Sequence, residues 1–222
     1  MAALHTKLRR CAYAPLDVHR PSTAIAQPRS MVSQQQSRAL AFLRSRGVRP
    51  FLDSAFAYLN ARWRLRRATR VGSARLWGRA SVTNHGGTMI IGDRVRMSAR
   101  SVRIDLTVGP QGTLEIGDGT FINYGADISA QRSVRLGRDC LLGQYALVID
   151  SNYHDVGDRT QPDVPQPVVI EDNVWLGARV VVLPGSHIGE GAVIGAQSVV
   201  TGTIPPRVFA AGNPARVIRS LD

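Results

Sequence analysis

One histidine in a turn-rich segment is the clearest candidate for chemistry in this sequence. His154 lies in DSNYHDVGD, residues 150–158, and the chain up to residue 167 stays rich in Asp, Gly, Pro and Gln, which are typical of loops. Imidazole has an unperturbed pKa near neutral pH, so it can take a proton from a weak nucleophile such as an alcohol. The sequence therefore offers His154 as a general base, and an ordinary exposed loop histidine is the alternative interpretation.

The remaining histidines and the cysteines suggest no other chemistry. Cys11 and Cys140 are too few for a disulfide framework, lack metal-ligand spacing and do not lie in a nucleophile motif. His85 and His187 have no motif around them, and we expect structural roles for both. No two histidines lie close together, so a zinc site of the carbonic anhydrase kind is not predicted. We expect no metal, and a reducing, cytoplasmic location.

The positive charge is concentrated in the first third of the chain. The formal net charge of the 222 residues is +12, but residues 1–80 carry sixteen Lys and Arg against Asp17 and Asp53. Residues 81–222 carry twelve basic and fourteen acidic side chains. The main body is therefore nearly neutral, and no nucleic-acid partner is predicted for it. No apolar run is long enough for a membrane span.

The basic N-terminal part divides into two predicted regions. Residues 1–37 lack periodicity and are predicted to be disordered, with a translation start at Met31 as an alternative. Residues 38–70 are predicted to form basic amphipathic helices, the second opened by Pro50. Its apolar stripe consists of Phe51, Leu52, Ala55, Phe56, Leu59 and Trp63. We prefer a helix that covers the open end of the next domain, with peripheral contact to an anionic membrane as the alternative.

From residue 71 the hydrophobic pattern has a period of six. Glycine follows the aliphatic residue at positions 177, 189 and 195, and an earlier run keeps the same step with one slip of two residues. A period of six scatters around a helix but fits short strands joined by turns, and such coils stack into a solenoid. We expect the glycines to supply unusual backbone angles at the corners. The regular positions are Ile170, Leu176, Val182, Ile188, Ile194 and Val200.

Two further motifs give the pattern a family likeness. The segment NVWLG, residues 173–177, and the ending IPP…AGNPARVI, residues 204–218, resemble the hexapeptide-repeat acyltransferases. The likeness covers roughly residues 85–220 and is strongest to sugar O-acetyltransferases of the maltose and galactoside acetyltransferase type. It implies a mainly β fold, a left-handed parallel β-helix over residues 71–222, with a loop extruded at 150–168. It also implies a homotrimer and acetyl-CoA-dependent transfer of an acetyl group to a hydroxyl of a sugar or glycan.

The same resemblance implies roles for individual residues. It implies that His154 reaches the acetyl-CoA thioester of a neighbouring subunit and acts as general base in direct transfer. From their places near His154 in the sequence, Asp150 or Asp155 could orient its ring. The resemblance implies that Asn123 and Trp175 bind the acceptor. The alternatives are that Asn123 only forms a turn and that Trp175 only packs at a corner of the coil. Coenzyme A positions are Gly177, Ala178, Ala196, Thr201, Arg216 and Arg219, and for the two arginines a solvated face is the alternative.

Two positions depart from the family pattern. Gln131 stands where an acceptor-contacting aspartate is common, and Gly202 stands where a lysine is common. The acceptor therefore stays open, and an amino sugar nitrogen, serine or an antibiotic is an alternative to a sugar hydroxyl. A β-helical scaffold without catalysis is the remaining alternative.

Overall fold

The computed structural model describes residues 49–155 and 157–222, and most of them belong to short strands wound into a coil. One helix, α1 (Arg49–Arg64), comes first. The strands are β1 (Arg70–Val71), β2 (Arg75–Asn84), β3 (Thr88–Ile91), β4 (Arg96–Val108), β5 (Thr113–Ile116), β6 (Phe121–Asn123), β7 (Asp127–Ala130), β8 (Ser133–Leu136), β9 (Leu141–Leu142), β10 (Leu147–Ile149), β11 (Val168–Ile170), β12 (Trp175–Leu176), β13 (Val181–Val182), β14 (His187–Ile188), β15 (Val193–Ile194), β16 (Val199–Val200), β17 (Thr203–Ile204), β18 (Val208–Gly212) and β19 (Ala215–Ser220).

The strands form three faces of a prism. The first face contains β1, β3, β5, β8, β11, β14 and β17. The second face runs from the start of β4 through β6, β9, β12, β15 and β18, and the third runs from the end of β4 through β7, β10, β13 and β16. The long strands β2 and β4 turn the corner between the second and third faces. Pairing is parallel throughout, except that β19 folds back antiparallel on β18.

The period-six residues point inward and stack directly on one another. On the first face Ile170 pairs with Ile188, one full turn of eighteen residues later, and Ile188 pairs with Ile204. The slip of two residues occurs in β8, where both Val134 and Leu136 are buried and Leu136 takes the position under Ile170. The predicted hexapeptide β-helix is thus confirmed, with inward aliphatic residues filling its interior.

The expected role of the repeated glycines is wrong in its physical reason. Left-handed backbone angles recur every sixth residue, but at Asn173, Arg179 and Gln197 as well as at glycine. Gly177 and Gly189 instead lie where successive turns touch, and a Cβ there would come within 2.7 and 2.5 Å of a backbone nitrogen of the next turn. The glycines are needed for close backbone approach and not for their φ angle.

Helix α1 packs on the solenoid through a different face from the predicted one. Ala57 and Ala61 are fully buried on this face, as is Leu65 directly after the helix. Asn60 Nδ2 donates to the carbonyls of Leu76 and Gly78 at 2.9 and 2.8 Å. The helix therefore packs on β2, whereas the predicted stripe remains exposed. The segments 1–37 and 38–48, predicted as disordered and helical, lie outside the described residues.

A single long interruption separates β10 from β11 and places residues 150–167 outside the coil, close to the predicted bounds of 150–168. Within the described part of the chain, no helix is both long and apolar enough to cross a bilayer.

Candidate functional site

An apolar column runs along the outside of the second face. Each member lies one residue before an inward aliphatic, so it points to the opposite side of the strand. Successive members are register partners on neighbouring strands, about 4.8 Å apart. A pocket of about 600 Å³ lies over them. The column consists of Phe121, Leu141, Trp175, Val193 and Phe209.

Five of the residues predicted for binding line this one pocket. They come from three different turns of the coil, and the stacking of those turns is what brings them together. Trp175 is 52% exposed, so it forms part of the pocket wall and is not buried as corner packing. The five residues are Asn123, Trp175, Gly177, Ala178 and Ala196.

Backbone groups at the pocket edge are free to bind an amide-containing ligand. The carbonyl of Ala178 accepts from the N–H of Gln197 at 2.8 Å. By contrast, the N–H groups of Ala178 and Ala196 have no hydrogen-bond partner within residues 49–155 and 157–222. The side chain of Asn123 accepts from the N–H of Tyr124 at 2.9 Å, which also fits its alternative as a turn residue.

Four members of the apolar column were missed by sequence reasoning. Phe121, Leu141, Val193 and Phe209 all line the pocket, but no motif marks them. The available signal was positional, because each precedes an inward residue on every third strand. The period-six pattern predicts only the inward residues, so it does not mark this outward column.

An aromatic and basic cluster continues the pocket towards the third face. The rings of Tyr124 and Tyr145 meet edge to face at 5.6 Å, and the guanidinium of Arg179 lies 5.6 Å from the Tyr145 ring centre. At the C-terminal end, Arg219 is the register partner of Phe209, and Arg216 is the partner of Ala211. Both arginines lie exposed on β19, next to the pocket but outside its lining.

The extruded loop is fixed at its base by a buried carboxylate. Asp150 is fully buried, and its two oxygens accept the N–H groups of Gln131, Arg132 and Ser133 at 2.7, 2.7 and 2.6 Å. Ser151 Oγ donates to Asp163 at 2.7 Å, which ties the two arms of the loop together. Asp150 is therefore committed to the base of the loop, and its predicted role in orienting the imidazole is not supported.

His154 itself is exposed, but both neighbours are held. Tyr153 has a left-handed φ of 65°, unusual for a large side chain, and its hydroxyl lies 2.7 Å from Ser129 Oγ. Asp155 accepts the N–H groups of Asp158 and Gly157, and these backbone hydrogen bonds lower the pKa of its carboxyl. Within residues 49–155 and 157–222, no side chain makes a hydrogen bond to the His154 ring. Asp155, like Asp150, therefore does not orient the ring in this structure.

The predicted site residues fall on two different edges of the prism. The pocket residues occupy the second face and its corner with the third. His154 follows β10 and Thr201 follows β16, which places both at the corner between the third and first faces. Gln131 and Gly202 lie at that same corner. One chain therefore brings together the pocket residues but does not add His154, Thr201, Arg216 or Arg219 to the pocket.

The other candidate groups have structural surroundings. Burial raises the pKa of the Cys140 thiol to about 11, and its Sγ–H donates to the carbonyl of Glu171 at 3.1 Å. His187 Nε2 lies 2.8 Å from Glu171 Oε1 on the outside of the first face. Across the described residues there is no cluster of three metal-ligating side chains.

Comparison with known proteins agrees with this architecture. The model of the family described as bacterial transferase hexapeptide (six repeats) matches residues 167–202. WbbJ of Escherichia coli K12, assigned by name as a lipopolysaccharide biosynthesis O-acetyl transferase, is 36% identical over 123 residues, which are 50% of this chain and 63% of WbbJ. An acetyltransferase named in Schizosaccharomyces pombe is 38% identical over 46% of this chain and 50% of its own. The chain thus spans about half to three fifths of these two relatives.

Solved structures show the same coil. The hexapeptide-repeat containing acetyltransferase VCA0836 of Vibrio cholerae is 30% identical, with 60% of this chain and 73% of that chain covered and a TM-score of 0.51. A single-residue mutant of AntD, an N-acyltransferase from Bacillus cereus, covers 70% of this chain and 84% of its own at a TM-score of 0.56, but its 21% identity speaks for the fold alone. The chain belongs to the hexapeptide-repeat acyltransferases.

Proposed function

We propose that this protein is an acetyl-CoA-dependent O-acetyltransferase that modifies a hydroxyl of a sugar or glycan. The observation that carries the proposal is the pocket on the second face, where Asn123, Trp175, Gly177, Ala178 and Ala196 meet. A non-catalytic scaffold would not need an exposed tryptophan in the wall of an apolar pocket. The names of WbbJ and VCA0836 support acetyl transfer, and WbbJ supports a glycan as acceptor.

The pocket fits the pantetheine arm of the donor. That arm is an extended chain with two amides. The pocket offers apolar side chains along its floor and free N–H groups at Ala178 and Ala196. Arg216 and Arg219 lie at the end of the second face, where exposed guanidinium groups can pair with phosphates. Thr201 would contribute from another edge of the prism.

His154 is the proposed general base. It takes the proton of the acceptor hydroxyl while that oxygen attacks the thioester carbonyl, and the carbon–sulfur bond then breaks. The imidazolium returns the proton to the departing thiolate, so the ring is neutral again after each turnover. A positioned base of this kind contributes about 10²–10⁴-fold to the rate. An acyl-enzyme on Cys140 is not part of the scheme, because that thiol is buried and its pKa is raised to about 11.

The site requires a second copy of the chain. His154 and Trp175 lie on different edges of the same prism, and a homotrimer would place the loop of one copy over the pocket of the next. Such a head-to-tail arrangement closes into a ring and forms three equal sites. Because acetyl-CoA is a cytoplasmic metabolite, the proposal places the reaction in the cytoplasm.

Release of free thiol from acetyl-CoA, measured with a panel of sugars and oligosaccharides, tests the activity. We expect a hydroxyl acceptor to give turnover, and His154→Ala to reduce kcat about 10²–10⁴-fold with little change in the KM for acetyl-CoA. Turnover only with amino acceptors would redirect the proposal to N-acyl transfer. No thiol release with any acceptor, or full activity of His154→Ala, would refute it.

Mixing variants that each lack one of the two residues tests the shared site. His154→Ala and Trp175→Ala chains, unfolded together and refolded in equal amounts, should recover about one quarter of the wild-type activity, because a quarter of the sites in random trimers receive both intact residues. If both residues served the same chain's site, no mixture of the two variants would recover activity.

A further inference from the structure

The apolar stripe of α1 faces away from the protein. The residues that pack on β2 recur at positions 57, 61 and 65, and the stripe lies on the opposite side of the helix. Its large side chains are more than half exposed, from 53% for Phe51 to 65% for Leu59. A helix that already packs through alanines does not need this second apolar face for its own folding. The exposed members are Phe51, Leu52, Phe56, Leu59 and Trp63.

Arginines surround the C-terminal half of this face. Arg64 and Arg66 lie over the Trp63 ring, with their guanidinium carbons 5.0 and 5.5 Å from its centre. Arg62 lies 6.0 Å from the Tyr58 ring. Among these residues only Arg62 and Arg64 make a side-chain hydrogen bond within the described chain, to the Val71 carbonyl and to Asn60. Aromatic side chains beside exposed guanidinium groups are typical of helices that lie in a membrane interface.

We propose that this face of α1 docks on an anionic lipid surface. Charge decides between the candidate occupants. A second copy would bring the same arginines against one another, and residues 1–48 carry eight basic side chains against Asp17 alone, so they are repelled too. Anionic headgroups complement the arginines, and the hydrocarbon boundary accepts the phenylalanines, leucines and tryptophan.

Docking of this kind would orient the enzyme. The helix lies parallel to the surface, and because its alanine face holds β2, the N-terminal turns of the solenoid are kept next to the lipid. An acceptor glycan attached to a lipid would then be presented along the prism. This consequence depends on the proposed function, but the docking itself does not.

Vesicle co-sedimentation of the full chain tests the docking. We expect binding to phosphatidylcholine vesicles that contain phosphatidylglycerol, little binding to phosphatidylcholine alone, and loss of binding as salt is raised. The double variant Phe56→Ser, Leu59→Ser should weaken binding to the anionic vesicles at least about tenfold, because two apolar side chains no longer leave water. The matched control is Ile218→Ser, which removes a similarly exposed residue from β19 and should bind like the wild type.

Trp63 provides an independent measurement. Its fluorescence, isolated by comparison with Trp63→Phe, should shift to shorter wavelength on anionic vesicles and be quenched by brominated lipids. Unchanged binding by the double variant would overturn the proposal. A smaller particle mass for the double variant in light scattering would overturn it in favour of a second copy as occupant. Thiol release by the same variants reports separately on the proposed activity.

Discussion

Replacement of Asp150 by asparagine tests whether the loop base positions His154. The two carboxylate oxygens accept three N–H groups, from Gln131, Arg132 and Ser133, and the side chain is fully buried. An asparagine has the same shape but places an NH₂ where one oxygen stood. One or two backbone donors then face another donor, and each buried unsatisfied group costs about 1–3 kcal/mol. The loss of charge adds to this, so we expect the free energy of unfolding to fall by about 2–4 kcal/mol.

Urea unfolding and amide hydrogen exchange measure this effect. The amides of residues 131–133 should exchange faster in Asp150→Asn, and kcat should fall although Asp150 touches no reacting atom. Asp155→Asn is the control, because Asp155 caps an exposed turn in the same loop, and its urea midpoint should stay at the wild-type value. If Asp150→Asn keeps the wild-type midpoint, amide protection and kcat, the loop base does not position His154.

Three further predictions concern the coil. Gly177→Ala should destabilise by about 2–4 kcal/mol in urea, since its Cβ would meet the next turn, whereas Gly202→Ala has open space around it and should be neutral. A hydrogen bond from Arg138 lowers the pKa of Asp172; its folded pKa is below its unfolded value, so the stability it adds is complete above about pH 4 and is lost as pH falls further. Arg138→Ala should flatten this part of the pH profile of the urea midpoint. Cys140 should resist a thiol reagent at pH 8 in a Cys11→Ser background until the protein is unfolded, and rapid labelling of the folded protein would contradict its burial.

The period of six was sufficient to predict the coil. A side chain that must stack on the one above it every eighteen residues leaves a strict trace in the sequence, and Ile170 and Ile188 lie where that trace puts them. The extruded loop was indicated by the turn-rich composition of residues 150–167. These features depend on local spacing, which the sequence contains in full.

The predictions were wrong where the packing of one segment against another decides the structure. The stripe of α1 was the strongest apolar pattern in the N-terminal part, but Ala57 and Ala61 allow a closer approach to β2 than Phe56 or Leu59 would. Sequence periodicity ranks faces by hydrophobicity and does not measure how closely a backbone can approach. The glycines led to a similar error, since Gly177 is placed by a neighbouring turn and not by its own φ.

The pocket and the loop divide the requirements of the proposed reaction between them. The pocket is built from outward residues such as Trp175. The inward residues next to them in sequence hold the coil together, so the stacked turns also fix the position of the pocket. The loop is fixed at its base by Asp150 and tied across its arms by Ser151 and Asp163, and His154 is exposed. Substitutions at the tip can therefore alter the acceptor without affecting the stability of the coil.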